Sequence, residues 1–129
     1  MNALFTGDIG PDVAEKVAAT WTDQRLGKVT IFLATHHGSA EGSNASLLAA
    51  IRPRWAVLST GPNGFHHPTP AAAIARLRGV GATIWCTNAN GTITATISAH
   101  GTVTWDASRQ ATPWWSAAKK TETGTCVNR

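Results

Sequence analysis

Residues 29–39 read VTIFLATHHGS, an apolar run followed by two adjacent histidines and a small Gly–Ser pair. The apolar part, residues 29–34, predicts a buried strand. Ligands and reactions in α/β folds concentrate at the carboxyl ends of such strands. His36 and His37 are therefore candidate functional residues, and a pair of loop histidines without a role is the simpler alternative.

The composition is that of a globular chain. Hydrophobic residues make up 43% of the 129 residues and charged residues 14%, which excludes an intrinsically disordered protein. No apolar run approaches the roughly 20 residues of a membrane-spanning helix, and we expect no signal peptide at the start. The net charge is +4, and the basic residues are scattered along the chain. It fits an anionic partner such as nucleic acid, or simply a mildly basic solvated surface.

Strand-like and helix-like segments alternate over the first part of the chain. Apolar runs at residues 2–6, 29–34 and 55–59 predict short buried strands, and a helical pattern follows each of them. This alternation predicts an α/β fold in which neighbouring strands, often parallel, are covered by helices.

Local signals mark where the helices begin. Pro11 suits the first turn of a helix, because its missing N–H has no partner there in any case. The predicted apolar face of that helix consists of Val13, Val17 and Trp21, with Ala14 and Ala18 alongside them. Ser43 or Asn44 can cap the next helix through a side-chain oxygen.

The pattern changes from residue 82 onward. Two threonine-rich apolar segments, residues 82–87 and 92–97, flank the sequence NANG at residues 88–91. Asn-Gly is the strongest short signal for a hairpin turn. With a further strand over residues 102–105, these segments predict an antiparallel β-meander that has one solvated face.

Candidate ligands follow each of the three predicted strands. Asp8 follows the first strand, His36 and His37 follow the second, and His67 lies in the loop after the third. If the strands are parallel neighbours, these loops open on one edge of the sheet. A carboxylate with neutral imidazoles suits zinc, and also manganese or iron. The alternative is that Asp8 and His67 are ordinary turn residues.

Three motifs occur in a specific order: LFTGD at residues 4–8, HHGS at 36–39, and STGPN with HPTP within 59–70. In this order they resemble the metallo-β-lactamase superfamily, with the greatest similarity to the hydrolase domain of ComEC-type DNA-uptake proteins. The resemblance extends from about residue 4 to residue 105. It implies the C-terminal half of a four-layer αββα sandwich, so we expect a half domain over residues 1–106 and a polar, flexible tail over 107–129.

The resemblance also implies a role for each motif residue. Asp8 matches the metal-bridging aspartate, and one of His36 and His37 matches an active-site histidine of the metal site. His67 matches the histidine of the "HP" loop, which would serve catalysis as a metal ligand, as a proton donor to the leaving group or as a phosphate-binding group. Substrate positioning is implied for two residues, Ser39 and Asn63.

The function implied is metal-assisted hydrolysis, with a phosphodiester of nucleic acid as the favoured substrate and zinc as the metal. The superfamily's H-x-H-x-D-H motif does not occur in residues 1–129. We therefore expect half of a dinuclear site, completed by an N-terminal half, and an exposed apolar face that favours a homodimer. The related uptake proteins act on the outer side of a membrane, which suggests an extracellular location.

Two further expectations concern the alternative function and the cysteines. A catalytically inactive remnant would instead be a binding module for nucleic acid or a cell-wall polymer, using Trp114 and Trp115. Cys86 lies in an apolar run and is expected in the core, and its spacing to Cys126 matches no zinc motif. A disulfide between the two would suit an oxidising compartment.

Overall fold

The computed structural model describes residues 1–60 and 71–108. Its elements in chain order are β1 (Ala3–Phe5), α1 (Pro11–Asp23), β2 (Ile31–Leu33), α2 (Ala45–Ile51), β3 (Trp55–Leu58), α3 (Ala71–Gly79), β4 (Thr83–Cys86), α4 (Thr87–Asn90), β5 (Ile93–Ile97) and β6 (Val103–Ala107). A 3-10 turn over Thr35–Gly38 follows β2. Within the two described ranges, no helix is both long enough and apolar enough to cross a membrane.

Strands β1 to β4 form one parallel sheet in the order β1-β2-β3-β4. The predicted α/β class is therefore confirmed, and strands that are neighbours in the sequence are neighbours in the sheet. Parallel neighbours require a crossover, and α1, α2 and α3 supply the three that are needed. Since such crossovers are right-handed, a sheet with this strand order receives all three helices on one face.

One row of the sheet faces these helices. Leu4, Phe32, Ala56 and Ile84 lie opposite one another in the strand register. Phe32, Ala56 and Ile84 are at most 4% exposed, and Leu4 packs against the same core as a half-buried residue. The helices contribute to this core Ala14, Ala18, Leu47, Leu48, Ile51, Ile74 and Leu77.

Among the described residues, the opposite face of the sheet is covered over β4 and exposed over β1. Phe5, Leu33, Val57 and Trp85 form the register row on this side. Trp85 is only 8% exposed, whereas Phe5 is 69% exposed and Leu33 and Val57 are half-buried. We call Phe5, Leu33 and Val57 the open face of the sheet.

The predicted three-stranded meander is wrong in its first strand. β4 joins the parallel sheet beside β3, and within the described residues the antiparallel sheet pairs β5 with β6. The first three residues of the NANG segment lie in α4 and Gly91 caps it, so the segment does not form a hairpin turn. Asn90, which is 2% exposed, accepts a hydrogen bond from the Cys86 N–H at 3.1 Å and so closes this helical turn. Pairing with β3 outweighs the local Asn-Gly preference.

Two predicted apolar surfaces are confirmed only in part. The sequence predicts a buried β1, but β1 is a three-residue edge strand in which Ala3 and Phe5 are exposed. In α1 the predicted face is confirmed at Ala14 and Ala18, which are buried, and at Val17 and Trp21, which pack against the core, but Val13 is 44% exposed. The small alanines occupy the side of α1 that meets the core, and this rotates Val13 toward solvent.

Several local predictions are confirmed. Pro11 begins α1, and the Asn44 side chain caps α2 by accepting the Leu47 N–H at 2.9 Å. Cys86 is fully buried and is disulfide-bonded. The other cysteine, Cys126, and the predicted tryptophan pair at residues 114–115 lie outside the described residues.

Candidate functional site

The carboxyl ends of β1 and β2 are joined directly by hydrogen bonds. The hydroxyls of Thr6 and Thr35 lie 2.8 Å apart, and the His36 N–H donates to the carbonyl of Gly7 at 3.1 Å. Thr35 is fully buried, so its hydroxyl needs a partner and finds it in Thr6. These bonds bring the loop that carries Asp8 beside the histidine pair.

The histidine pair has an unusual backbone conformation. His36 (φ 46°, ψ 54°) and His37 (φ 58°, ψ 21°) are both in the left-handed region, and Gly38 follows with φ 95°. A left-handed residue other than glycine costs roughly 1 kcal/mol and tends to occur at functional sites. The Ser39 N–H closes the turn by donating to the carbonyls of Thr35 at 3.1 Å and His36 at 3.0 Å.

The loop after the histidine turn is supported from α3. The guanidinium of Arg76 donates to the carbonyl of Ala40 and to the carbonyl of Ser43, the latter at 3.3 Å. These bonds satisfy backbone acceptors that the irregular loop leaves without partners in secondary structure. The histidine turn is thus held from both sides by hydrogen bonds.

The ring of His37 is oriented by a backbone carbonyl. Its Nδ1 lies 3.0 Å from the carbonyl oxygen of Ser59, immediately after β3. A carbonyl only accepts, so Nδ1 must carry the proton, and in the neutral ring the accepting lone pair is then on Nε2. Metal-binding histidines commonly show this arrangement, in which a carbonyl holds one nitrogen and the other nitrogen binds. The ring of His36 lies 6.0 Å away between centroids, at 61°.

The ends of β3 and β4 are joined by a single threonine. The Thr60 N–H donates to the hydroxyl of Thr87 at 2.8 Å, and this hydroxyl donates to the Thr60 carbonyl at 2.8 Å. Together with the bonds above, all four parallel strands are tied to their neighbours at the same edge. We call this the carboxyl edge.

Four of the predicted site residues lie at the carboxyl edge. Asp8 and His37 are exposed, whereas His36 and Ser39 are half-buried. The Ser39 hydroxyl accepts the N–H of Glu41 at 3.2 Å, so it shapes the loop. The two other predicted residues, His67 and Asn63, lie outside the described residues.

The donor chemistry at this edge suits a metal ion, but the described residues form only part of a ligand set. Asp8 offers a carboxylate, and His37 offers an imidazole that a carbonyl orients. Within residues 1–60 and 71–108, no group of three or more His, Cys, Asp or Glu side chains is close enough together to hold a metal. Further ligands would have to come from residues outside these two ranges or from another chain.

Sequence reasoning missed Thr87 as a residue of this edge. The available signal was its position directly after an apolar run, the same position that drew attention to Asp8 and His36. The predicted hairpin places Thr87 within a strand of the meander, so its position after an apolar run was not interpreted as a strand end.

Neither a scan against protein-family models nor searches of the curated proteins and of the solved structures found a match to this chain.

Proposed function

We propose that this chain contributes to a metal-dependent hydrolase of the metallo-β-lactamase type, related to the ComEC hydrolase domain and acting on phosphodiesters. The observation that carries the proposal is the His37 ring, held at Nδ1 by the Ser59 carbonyl at the carboxyl edge of a parallel sheet. A strained histidine turn fixed in this way has the organisation expected of a ligand or proton-transfer group.

The residues that would hold zinc are Asp8, the histidine pair and His67. Zinc, or manganese or iron in its place, would act as a Lewis acid toward the phosphoryl group. Asp8 would offer its carboxylate and His37 would offer Nε2 as ligands in this proposal. Ser39 and Asn63 position the substrate, and ligands from outside residues 1–129 complete a dinuclear site.

The open face supports the finer fold proposal, a C-terminal half of an αββα sandwich. Helices lie on one side of the parallel sheet, and the other side presents Phe5, Leu33 and Val57. A second sheet packed on this side would bury these apolar side chains, as in two-sheet cores generally. An N-terminal half or a second copy of the chain would provide such a layer.

The substrate class depends on the motif resemblance and on charge. The net charge of +4 favours association with a polyanion, and nucleic acid presents one phosphodiester per nucleotide. In this proposal the protein acts at an extracellular or outer membrane face, as the ComEC-type proteins do.

Zinc titration of the purified chain tests the proposal. Isothermal titration calorimetry would compare the wild type with Asp8→Asn, His37→Ala and the control His100→Ala, whose ring lies in the exposed turn between β5 and β6. We expect zinc binding that weakens at least about tenfold in the first two variants and is unchanged in the control.

One result would contradict the proposal. If the wild type and all three variants take up the same trace of zinc, the proposed residues do not form a metal site. The alternative of a non-catalytic binding module for nucleic acid or a wall polymer would then be favoured.

A further inference from the structure

We propose that Thr87 is a positioning residue that orients the His37 imidazole through the peptide group between Ser59 and Thr60. The role of His37 as a ligand or proton-transfer group rests on the proposed function. The orientation itself rests only on the hydrogen bonds that join the three strands.

The first step is the contact between Thr87 and Thr60. The Thr87 hydroxyl accepts the Thr60 N–H and donates to the Thr60 carbonyl, at 2.8 Å in each case. Regular pairing between β3 and β4 ends at Leu58 and Cys86. The hydroxyl thus fixes the backbone at the point where the strand ladder no longer does.

The second step follows from peptide geometry. The N–H that Thr87 holds and the carbonyl that His37 contacts belong to the same planar group, the peptide bond from Ser59 to Thr60. The described chain has no cis peptide bond, so this N–H and carbonyl point in opposite directions. Fixing the N–H toward β4 therefore aims the carbonyl toward β2, where His37 is.

The third step concerns the histidine ring. Since the Ser59 carbonyl accepts from Nδ1, the neutral ring has its proton on Nδ1 and its lone pair on Nε2. Hydrogen bonds in series polarise one another. The bond from the Thr60 N–H to the Thr87 hydroxyl therefore also strengthens the Ser59 carbonyl as an acceptor. Without the Thr87 hydroxyl, the His37 ring should be held less firmly and should populate both of its neutral tautomers.

Thr87 is itself held in place. It begins α4, which is closed by the bond from the Cys86 N–H to Asn90 and by the Gly91 N–H donating to the Thr87 carbonyl at 2.9 Å. The hydroxyl therefore has a rigid support, as a residue that positions another group requires.

The test compares Thr87→Val, Thr87→Ser and the control Thr22→Val. Thr22 donates its hydroxyl to the Ala18 carbonyl in α1, so its replacement removes a similar bond far from the carboxyl edge. Long-range ¹H–¹⁵N spectra of the neutral ring report which nitrogen of His37 carries the proton. We expect the Nδ1–H form in wild type, Thr87→Ser and Thr22→Val, and a mixture of both tautomers in Thr87→Val.

Zinc affinity is the second readout, and Thr87→Val should weaken it by about tenfold, as loss of an orienting group does. The inference is overturned if folded Thr87→Val keeps the wild-type tautomer, or if wild-type His37 itself carries its proton on Nε2. A wild-type ring protonated on Nε2 overturns the inference whether or not Thr87→Val folds, and if Thr87→Val does not fold, a change of tautomer in Thr87→Ser, which keeps the hydroxyl, overturns it as well. Absence of zinc binding in every variant would refute the proposed function, while the tautomer result would still decide the role of Thr87.

Discussion

Trp105 of β6 stacks on Trp85 of β4, with ring centroids 5.3 Å apart and ring planes 20° apart. Trp55 of β3 meets the same Trp105 ring at 5.8 Å. These contacts join the two-stranded antiparallel sheet to the parallel sheet, on the face that the helices do not cover. They also explain why Trp85 is nearly buried at the sheet edge while Phe5, in the same register row, is exposed.

Removing the Trp105 ring should detach the hairpin of β5 and β6. We expect Trp105→Ala to lower the free energy of unfolding by about 2 kcal/mol. This is less than the loss expected on truncating a fully buried tryptophan, because Trp105 is half-buried. Trp105→Phe keeps an aromatic contact and should lose less than half as much. Urea denaturation measures both, and a change below about 0.5 kcal/mol in Trp105→Ala would show that the ring contact contributes little.

Gly42 lies where there is no room for a side chain. A Cβ at this position would be 2.8 Å from the carbonyl oxygen of Ile9 and would overlap the side chain of Thr35. Because Thr35 also joins β1 to β2, Gly42→Ala should disturb the carboxyl edge and destabilise the fold by about 2 kcal/mol.

Gly79→Ala is the matched control for this change. Gly79 is the last residue of α3, and a Cβ there meets no atom within 4 Å. Alanine should be neutral or stabilise by up to about 1 kcal/mol. Thermal melting of both variants measures the difference, and equal melting temperatures would contradict the crowding inferred at Gly42.

The sequence was sufficient for features that depend on neighbouring residues. Pro11 at a helix start and Asn44 as a helix cap are local arrangements, and both are confirmed. Short apolar runs bounded by turn formers also identified β1, β2 and β3, three of the four parallel strands, because strands in an α/β sheet are recognisable without an alternating pattern. The edge of the sheet at which His36 and His37 lie followed from strand direction alone.

Features that depend on tertiary contacts were not predictable in this way. The Asn-Gly signal at residues 90–91 was overridden because β4 pairs with β3, and no local pattern reports that pairing. Thr87 acts on a peptide 27 residues away, so its role is invisible until the strands are placed side by side. The exposure of Phe5, Leu33 and Val57 on the open face likewise depends on which layers pack against the sheet.

The open face should cause self-association of the purified chain. Phe5, 69% exposed on an edge strand, is flanked in the register by half-buried Leu33. Apolar side chains grouped in this way are stabilised by contact with another apolar surface, and in a pure sample that surface is a second copy.

Phe5→Glu would place a charge in that contact and should shift the chain to a monomer, measured by sedimentation velocity over a range of concentrations. Val13→Glu is the control, because Val13 is also exposed (44%) but lies on α1, away from the open face. Both variants change the net charge equally, so a difference between them isolates the position of the substitution. We expect Val13→Glu to associate as the wild type does. A wild-type chain that sediments as a monomer at every concentration would show that the open face does not mediate association.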